Sequence, residues 1–122
     1  MGAVQSYRDL EVWQQGMDLA VACYTATKSF PGDERFGLTS QIRRSASSVP
    51  ANIAEGQGRQ STKEFLHFLS IARGSLKELE THLILSERLG MLPTATLGEL
   101  LFQTDNVSRM LTGLKKSLER RL

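Results

Sequence analysis

A segment of small and polar residues, residues 41–58, carries the most distinctive side chains of this chain. Its polar residues recur at steps of three and four, the spacing that places side chains on one face of a helix. These residues are Gln41, Ser45, Ser48, Asn52 and Glu55. Arg43 and Arg44 stand together near the start of the segment. Such a polar stripe is predicted to be structural, since its side chains need hydrogen-bond partners within the folded chain or at a contact between subunits.

Basic residues are concentrated in two parts of the sequence. Six basic residues stand against two acidic ones between Arg43 and Lys77, and five stand against one after Asn106. The planar fork of arginine pairs with two phosphate oxygens, so such surfaces suit nucleic-acid backbones. The candidate nucleic-acid-binding residues are Arg43, Arg44, Arg73, Lys77, Lys115, Lys116, Arg120 and Arg121. The alternative is a solvated surface with internally paired arginines, for example Arg44 with Glu55.

Catalytic and metal-binding chemistry has weaker support. Glu64 and His67 have the Glu-x-x-His spacing of di-iron helical bundles, but the second motif of that kind is missing around His82. Cys23 has no cationic neighbour in sequence that would lower its pKa, which favours a buried structural thiol. We therefore expect no catalytic residue, no metal and no cofactor.

The composition is typical of one soluble domain. The chain has 122 residues, of which 40% are hydrophobic and 23% charged, with a net charge of only +2. The small net charge makes the distribution of charge more informative than the total. A single cysteine cannot form an intramolecular disulfide, and the chain shows no long apolar run. These features predict a cytoplasmic protein that does not associate with membranes.

Hydrophobic periodicity and helix-boundary residues predict four helices at about residues 10–29, 36–57, 62–89 and 96–120. Residues 1–8 are predicted to be a flexible arm, and residues 9–122 a single bundle. Asp9 is a candidate N-cap. At Pro50 the second helix either kinks, which we favour, or restarts with Ser47 or Ser48 as a new cap. Two capping boxes, one beginning at Ser61 and one at Thr96, and the C-terminal Gly90 mark further boundaries.

Each predicted helix has an apolar stripe directed at the core. In the first helix the stripe is Leu10, Trp13, Met17, Ala20, Tyr24 and Thr27, widened by Val21. Four helices with short connections and no strand signal predict an all-α, up-down-up-down four-helix bundle. Some apolar residues exceed what one core needs, and self-association would cover them. These are Phe68, Ile84, Leu85, Leu101 and Phe102.

Many short motifs in order resemble a known family. They are residues 10–14 (LEVWQ), 30–31 (FP), 37–38 (GL), 41–46 (QIRRSA), 52–56 (NIAEG), 64–65 (EF), 68–69 (FL), 71–75 (IARGS) and 78–80 (ELE). The chain resembles bacterial four-helix-bundle proteins encoded in intervening sequences of large-subunit ribosomal RNA genes. That family in turn resembles the accessory variability determinant of diversity-generating retroelements, a pentameric nucleic-acid-binding barrel. The resemblance implies a homopentameric ring and a nucleic-acid role without enzymatic activity.

The leading hypothesis is thus a non-enzymatic, ring-forming helical bundle that binds structured RNA or DNA through basic faces. The alternative is a structural or protein-protein interaction module without a nucleic-acid ligand. The sequence does not name a partner protein.

Overall fold

The structure of the chain, a computed structural model, describes residues 6–122. In chain order its α-helices are α1 (Glu11–Thr27), α2 (Leu38–Gln57), α3 (Thr62–Arg88) and α4 (Thr94–Glu119). Short 3-10 helices at Tyr7–Asp9 and Gly32–Glu34 precede α1 and α2. No strand occurs among the described residues, and the prediction of an all-α protein with four helices is confirmed.

Consecutive helices run antiparallel, and α4 closes the bundle against α1. Gly16 near the start of α1 lies against Pro50 near the end of α2. Ser48 of α2 is hydrogen-bonded to Ser75 of α3. The connections between α2 and α3 and between α3 and α4 are short enough to enforce this up-down-up-down order.

The core consists of the inward stripes of all four helices. Its largest apolar side chains with less than 2% exposure are Leu19, Ile42, Ile53, Leu76, Leu79, Leu83, Val49 and Val107. Each buried side chain of this size stabilises the fold by about 1.5–3 kcal/mol relative to an exposed one. Most residues of the apolar stripes predicted for the third and fourth helices are buried, and Phe65, Leu97 and Leu114 are half-buried. The buried ones are Leu69, Ala72, Leu76, Leu79 and Leu83 in α3 and Leu100, Thr104, Val107, Leu111 and Leu118 in α4.

The apolar stripe predicted for α1 is partly wrong. The residues that α1 buries are Val12, Gly16, Leu19, Ala20, Cys23 and Thr27. Met17, Val21 and Tyr24 are 41%, 63% and 43% exposed. The helix therefore carries two adjacent apolar faces, and Met17, Val21 and Tyr24 lie on the outer one. Periodicity cannot separate two faces that are both apolar.

Helix α2 passes through Pro50 without a break. Neither Ser47 nor Ser48 begins a new helix there, since Ser47 donates to the Arg44 carbonyl and Ser48 pairs with Ser75. Proline lacks an amide, so it cannot donate to the carbonyl of Ala46 one turn earlier. The helix continues on both sides of this missing hydrogen bond, and Pro50 itself is buried against α1.

Close packing between α2 and α3 depends on Gly56. A Cβ atom at this position would lie 2.8 Å from Cβ of Phe68 and 3.0 Å from Cδ1 of Phe65. Real Cβ atoms essentially never approach other heavy atoms to less than 3.0 Å. Only glycine therefore lets the end of α2 rest on the aromatic residues at the start of α3.

The start of α1 differs from the prediction. Asp9 lies in the first 3-10 helix, where its Oδ2 accepts from the Ser6 amide at 3.1 Å, and the N-cap residue of α1 is Leu10. Of the predicted arm, residues 1–5 lie outside the described residues. Tyr7 meets the edge of the Trp13 ring with 5.2 Å between centroids, so this part of the arm packs on α1.

The boundaries of α3 follow the prediction closely. Ser61 accepts from the Glu64 amide at 3.0 Å, while the Glu64 carboxylate meets the Ser61 hydroxyl instead of its amide. At the other end Gly90 adopts φ +80°, and Met91 donates to the Ser86 carbonyl at 2.9 Å. This pattern is a Schellman motif, in which the left-handed conformation favours glycine.

Helix α4 begins at Thr94, two residues before the predicted start, and the predicted capping box at Thr96 is wrong. Pro93 is the N-cap, and the Leu97 amide donates to its carbonyl at 3.0 Å. The fixed φ of proline suits a helix entrance. Thr94 instead donates its hydroxyl to Glu87 at 2.8 Å, which joins α4 to the last turn of α3.

Candidate nucleic-acid interface

The polar stripe of α2 is satisfied inside the bundle. Ser45 donates to the Gln41 carbonyl at 2.8 Å, and Asn52 donates to the Ser48 carbonyl at 2.8 Å. Ser48 and Ser75 share a hydrogen bond of 2.8 Å between α2 and α3. Ser45 and Asn52 of the stripe therefore form hydrogen bonds within α2, and Ser48 also forms one to α3.

Gln41 and Glu55, at the two ends of the stripe, each accept a hydrogen bond from an arginine at the surface. Arg44 donates to Oε1 of Gln41 at 2.7 Å, and Arg59 donates to Oε2 of Glu55 at 2.7 Å. The pair of Arg44 with Glu55, the example given for internally paired arginines, is therefore not formed. Arg44 is exposed, and its neutral partner leaves its positive charge uncompensated by this contact.

Arg43 has an internal role. Its Nε donates to the Thr27 hydroxyl at 2.9 Å, and its Nη2 donates to the Tyr24 carbonyl at 3.4 Å. The guanidinium lies 4.7 Å from the centroid of the Tyr24 ring. A cation at the C-terminal end of a helix also complements its dipole. Arg43 thus fastens α2 to the end of α1.

Basic residues from both sequence clusters meet where α3 and α4 pack together. Arg73 reaches across with Nη1 to Oγ1 of Thr112, a contact of 3.5 Å. Thr112 follows Arg109 by three residues and precedes Lys116 by four, so these residues share one side of α4. Lys77 lies one turn after Arg73 on α3.

We call this surface the α3/α4 basic face. It comprises Arg73, Lys77, Arg109, Lys116 and Arg120, and all five side chains are exposed. Glu80, which pairs with Lys77 at 3.5 Å, and the exposed Asp105 and Glu119 are the acidic residues beside it. Five positive charges against three negative ones leave a local excess of two, equal to the net charge of the whole chain.

The remaining candidates lie away from this face or at its end. Lys115 is exposed on α4 beside Lys116. Arg121 lines a cavity of about 250 Å³ at the end of the bundle, together with Arg59 and the first residues of α3. Arg59 is occupied there, since it pairs with Glu55 and lies 4.7 Å from the centroid of the Phe68 ring.

Sequence reasoning did not select Arg109 as a site residue. Its spacing of seven from Lys116 and eleven from Arg120 places all three on one helical side, and this signal was present in the sequence. The meeting of that side with Arg73 depends on the rotation of two packed helices, which spacing within one helix does not determine.

The residues with possible metal or nucleophilic chemistry do not form a site. Glu64 and His67 are exposed and do not project into the core. Within residues 6–122, no three His, Cys, Asp or Glu residues come close enough together to hold a metal ion. Cys23 is fully buried, and burial raises the pKa of its thiol from 9.0 to about 12. A thiol with this pKa is a poor nucleophile.

Among residues 6–122, no helix has both the length and the apolar character that crossing a membrane requires.

These observations define an all-helical four-helix-bundle protein with a positively charged face along α3 and α4. The chain belongs to the 23S rRNA-intervening sequence protein family, whose model matches residues 8–113. The resemblance to this family seen in the sequence motifs is therefore confirmed.

One solved structure extends the likeness to the fold. It is a protein of unknown function from the S23 ribosomal protein family of Bacteroides thetaiotaomicron, 25% identical in sequence, with a TM-score of 0.80. The match covers 86% of this chain and 95% of that one. No match to a curated protein was found.

Proposed function

We propose that the protein is a non-enzymatic, oligomeric helical bundle of the cytoplasm that binds structured RNA or DNA through the α3/α4 basic face. The observation that carries this proposal is the contact of Arg73 with Thr112, which joins the basic residues of two sequence clusters into one surface. Phosphates spaced along a nucleic-acid strand are the ligand that such a row of exposed cations suits.

The binding residues we propose differ from the initial candidates. Arg73, Lys77, Lys116 and Arg120 remain, Arg109 is added, and Arg43 is removed because its guanidinium is engaged by α1. Arg44, Lys115 and Arg121 are peripheral to the face. Sequence-specific readout is not part of the proposal, because a row of flexible cations recognises charge and shape.

The test is a titration of fluorescent RNA hairpins and DNA duplexes by anisotropy between 50 and 200 mM salt (about the range over which phosphate contacts are strongly screened). The variant carries R73Q, K77Q, R109Q and K116Q. A matched control carries R35Q, R88Q, K28Q and K63Q, which remove the same charge from other exposed positions. The proposal expects the first variant alone to lose binding. It fails if the wild type binds neither ligand at low salt, or if both variants weaken binding equally.

A structural or protein-protein interaction module is the second candidate, and the exposed apolar residues of α1 favour it. Met17, Val21 and Tyr24 are large apolar side chains on the outer face of the helix. This role requires no nucleic acid, and it would stand alone if the titration showed no binding.

A further inference from the structure

The cavity at the end of the bundle, of about 250 Å³, lies where four segments of the chain meet. Its apolar wall consists of Leu10, just before α1, Phe65 of α3, and Leu114 and Leu118 of α4. Leu118 is buried and the other three side chains are half-buried. Drug-sized ligands occupy pockets of about 300–1,000 Å³, so this smaller cavity suits a single apolar ring system.

Two glutamines that line the cavity have no partner within the fold. Gln57 ends α2, and Gln60 lies in the connection to α3. Within residues 6–122 neither side-chain amide forms a hydrogen bond, whereas Gln41 of α2 accepts one from Arg44 at 2.7 Å. Each free amide offers a donor and an acceptor, the combination that the polar edge of a nucleic-acid base requires.

The cavity also has one uncompensated positive charge. Of the two arginines that line it, Arg59 is paired with Glu55 at 2.7 Å. Arg121 is exposed, and among the described residues its side chain forms neither an ion pair nor a hydrogen bond. An apolar wall, two unpaired amides and one unpaired cation thus lie around one small space. A nucleotide has matching parts, namely a planar ring, a polar base edge and a phosphate.

The cavity adjoins the α3/α4 basic face. Arg120 is the last residue of that face, and Arg121 follows it in the chain, with its Cα about 3.8 Å away. Leu114 and Leu118 line the cavity from the same turns of α4 that carry Lys116. A nucleic-acid strand whose phosphates lie along the face therefore has the cavity at its end.

We propose that this cavity binds one unpaired nucleotide of an RNA or DNA strand held by the α3/α4 basic face. The base packs against Phe65 and the leucines, Gln57 and Gln60 bond its edge, and Arg121 pairs with its phosphate. Unpaired bases are recognised in this way, by stacking on side chains together with hydrogen bonds to their edges. The inference rests on the proposed function and adds to it a preference for strands with an unpaired base.

The test compares blunt RNA and DNA duplexes with duplexes of the same sequence that carry one unpaired adenosine. The unpaired residue is placed at the 5′ end, at the 3′ end or as a bulge, and affinity is measured by anisotropy at one salt concentration. Adenine is the probe because a glutamine amide can bond its N6 and N7 together. At least one placement should raise affinity about 5- to 150-fold, the contribution of one stacked base. An abasic residue in the same position should remove the gain.

Substitutions of the glutamines assign the gain to this cavity. Gln57→Ala combined with Gln60→Ala should abolish the gain and leave the affinity for the blunt duplex unchanged. Gln103→Ala is the matched control, a half-buried glutamine of α4 outside the cavity. Circular dichroism verifies folding. Gln60→Ala alone, from an exposed position, should reduce the gain even if the double variant does not fold.

Two further measurements separate the charge and the source of the nucleotide. Arg121→Gln should reduce the gain, and Arg88→Gln, which removes the same charge from the other end of the bundle, should not. Free AMP should not saturate the protein at micromolar concentration, because it makes no contact with the basic face. Saturable AMP binding in that range, lost in the glutamine double variant, would overturn the proposal and assign the cavity to a free nucleotide.

The outcomes distinguish this inference from the proposed function. If no duplex binds, with or without an unpaired base, the inference fails together with the proposed function. If all duplexes bind equally well, or if the gain survives in the glutamine variants, the inference alone fails and the proposal for the α3/α4 basic face stands.

Discussion

The Arg43 side chain donates from Nε to the hydroxyl of Thr27 at 2.9 Å, and Thr27 in turn donates to the Cys23 carbonyl at 2.9 Å. Thr27 is 2% exposed and ends α1, so a charged side chain of α2 completes the hydrogen bonding at the end of a neighbouring helix. The two adjacent arginines of the sequence therefore do different things. One belongs to the architecture, and the other faces solvent.

Replacing Arg43 by alanine should destabilise the fold. The change removes two hydrogen bonds from a charged donor and the contact with the Tyr24 ring, and hydrogen bonds to charged groups contribute about 1.5–3 kcal/mol each. Because the 3.4 Å hydrogen bond to the Tyr24 carbonyl is exposed and contributes little, we expect a loss of about 2 kcal/mol in the free energy of unfolding, measured by urea denaturation. Arg44→Ala is the control and should change stability by less than about 0.5 kcal/mol. Equal effects of both substitutions would contradict the internal role of Arg43.

Much of the fold follows from local sequence signals. Ser61 caps α3, Gly90 ends it in the left-handed conformation, and Leu69, Leu76 and Leu83 face the core at helical spacing. These features depend on interactions within one or two turns, which residue type and spacing describe well. The helix order then follows from short connections.

The remaining errors concern contacts between helices. The core-facing side of α1 is defined by Leu19 and Cys23 instead of Met17 and Tyr24, because both sides of this helix are apolar. The partner of Arg44 is Gln41 one turn away, and the partner of Arg73 is on another helix. Which of several apolar or charged neighbours a side chain meets depends on helix rotation, and a single sequence contains no direct measure of it.

Gly56→Ala should be destabilising although alanine favours helices. The added methyl would lie 2.8 Å from Cβ of Phe68, so α2 and α3 must separate or Phe65 must move. Overpacking of this kind typically costs about 1–3 kcal/mol. Thermal unfolding should show the loss directly. Gly74→Ala provides the matched control, since its Cβ meets nothing within 4 Å, and the gain in helix propensity should raise stability by about 0.5–1 kcal/mol.

The Ser48–Ser75 hydrogen bond predicts a measurable coupling between α2 and α3. Both hydroxyls are partly buried and lie 2.8 Å apart, so each single alanine variant leaves the other hydroxyl without this partner. We expect each to cost about 1 kcal/mol, and the double variant to cost less than the sum by about 0.5–1 kcal/mol. A double-mutant cycle by chemical denaturation measures this difference. Strict additivity would show that the two hydroxyls do not interact in solution.

Cys23 predicts a decrease of stability at alkaline pH. Burial raises the pKa of its thiol from 9.0 to about 12, so the folded chain holds this proton more tightly than the unfolded chain does. The stabilisation is fully present below pH 9 and is lost as the pH rises towards 12, with a slope of about 1.4 kcal/mol per pH unit in between. The informative quantity is the difference in stability between wild type and Cys23→Ala, because that difference isolates the contribution of this thiol. That difference should shift in favour of Cys23→Ala as the pH rises from about 8.5 to about 10.5. Parallel stability curves would contradict the raised pKa.

Arg109 provides the sharpest single-residue test of the α3/α4 basic face. Its guanidinium is exposed, and its hydrogen bond is to the neutral Asn106 side chain at 2.6 Å, so the positive charge is not neutralised by that partner. Arg109→Gln should weaken binding to RNA hairpins and DNA duplexes alike. If Arg109 contacts one phosphate, the slope of log affinity against log salt should fall by about 0.7–0.9.

Arg88→Gln removes the same charge from an exposed position at the end of α3 and should leave the slope unchanged. The unfolding temperature should stay the same in both variants, because neither side chain packs into the core. An unchanged salt slope for Arg109→Gln, with binding intact, would place the phosphate contacts on another surface of the bundle.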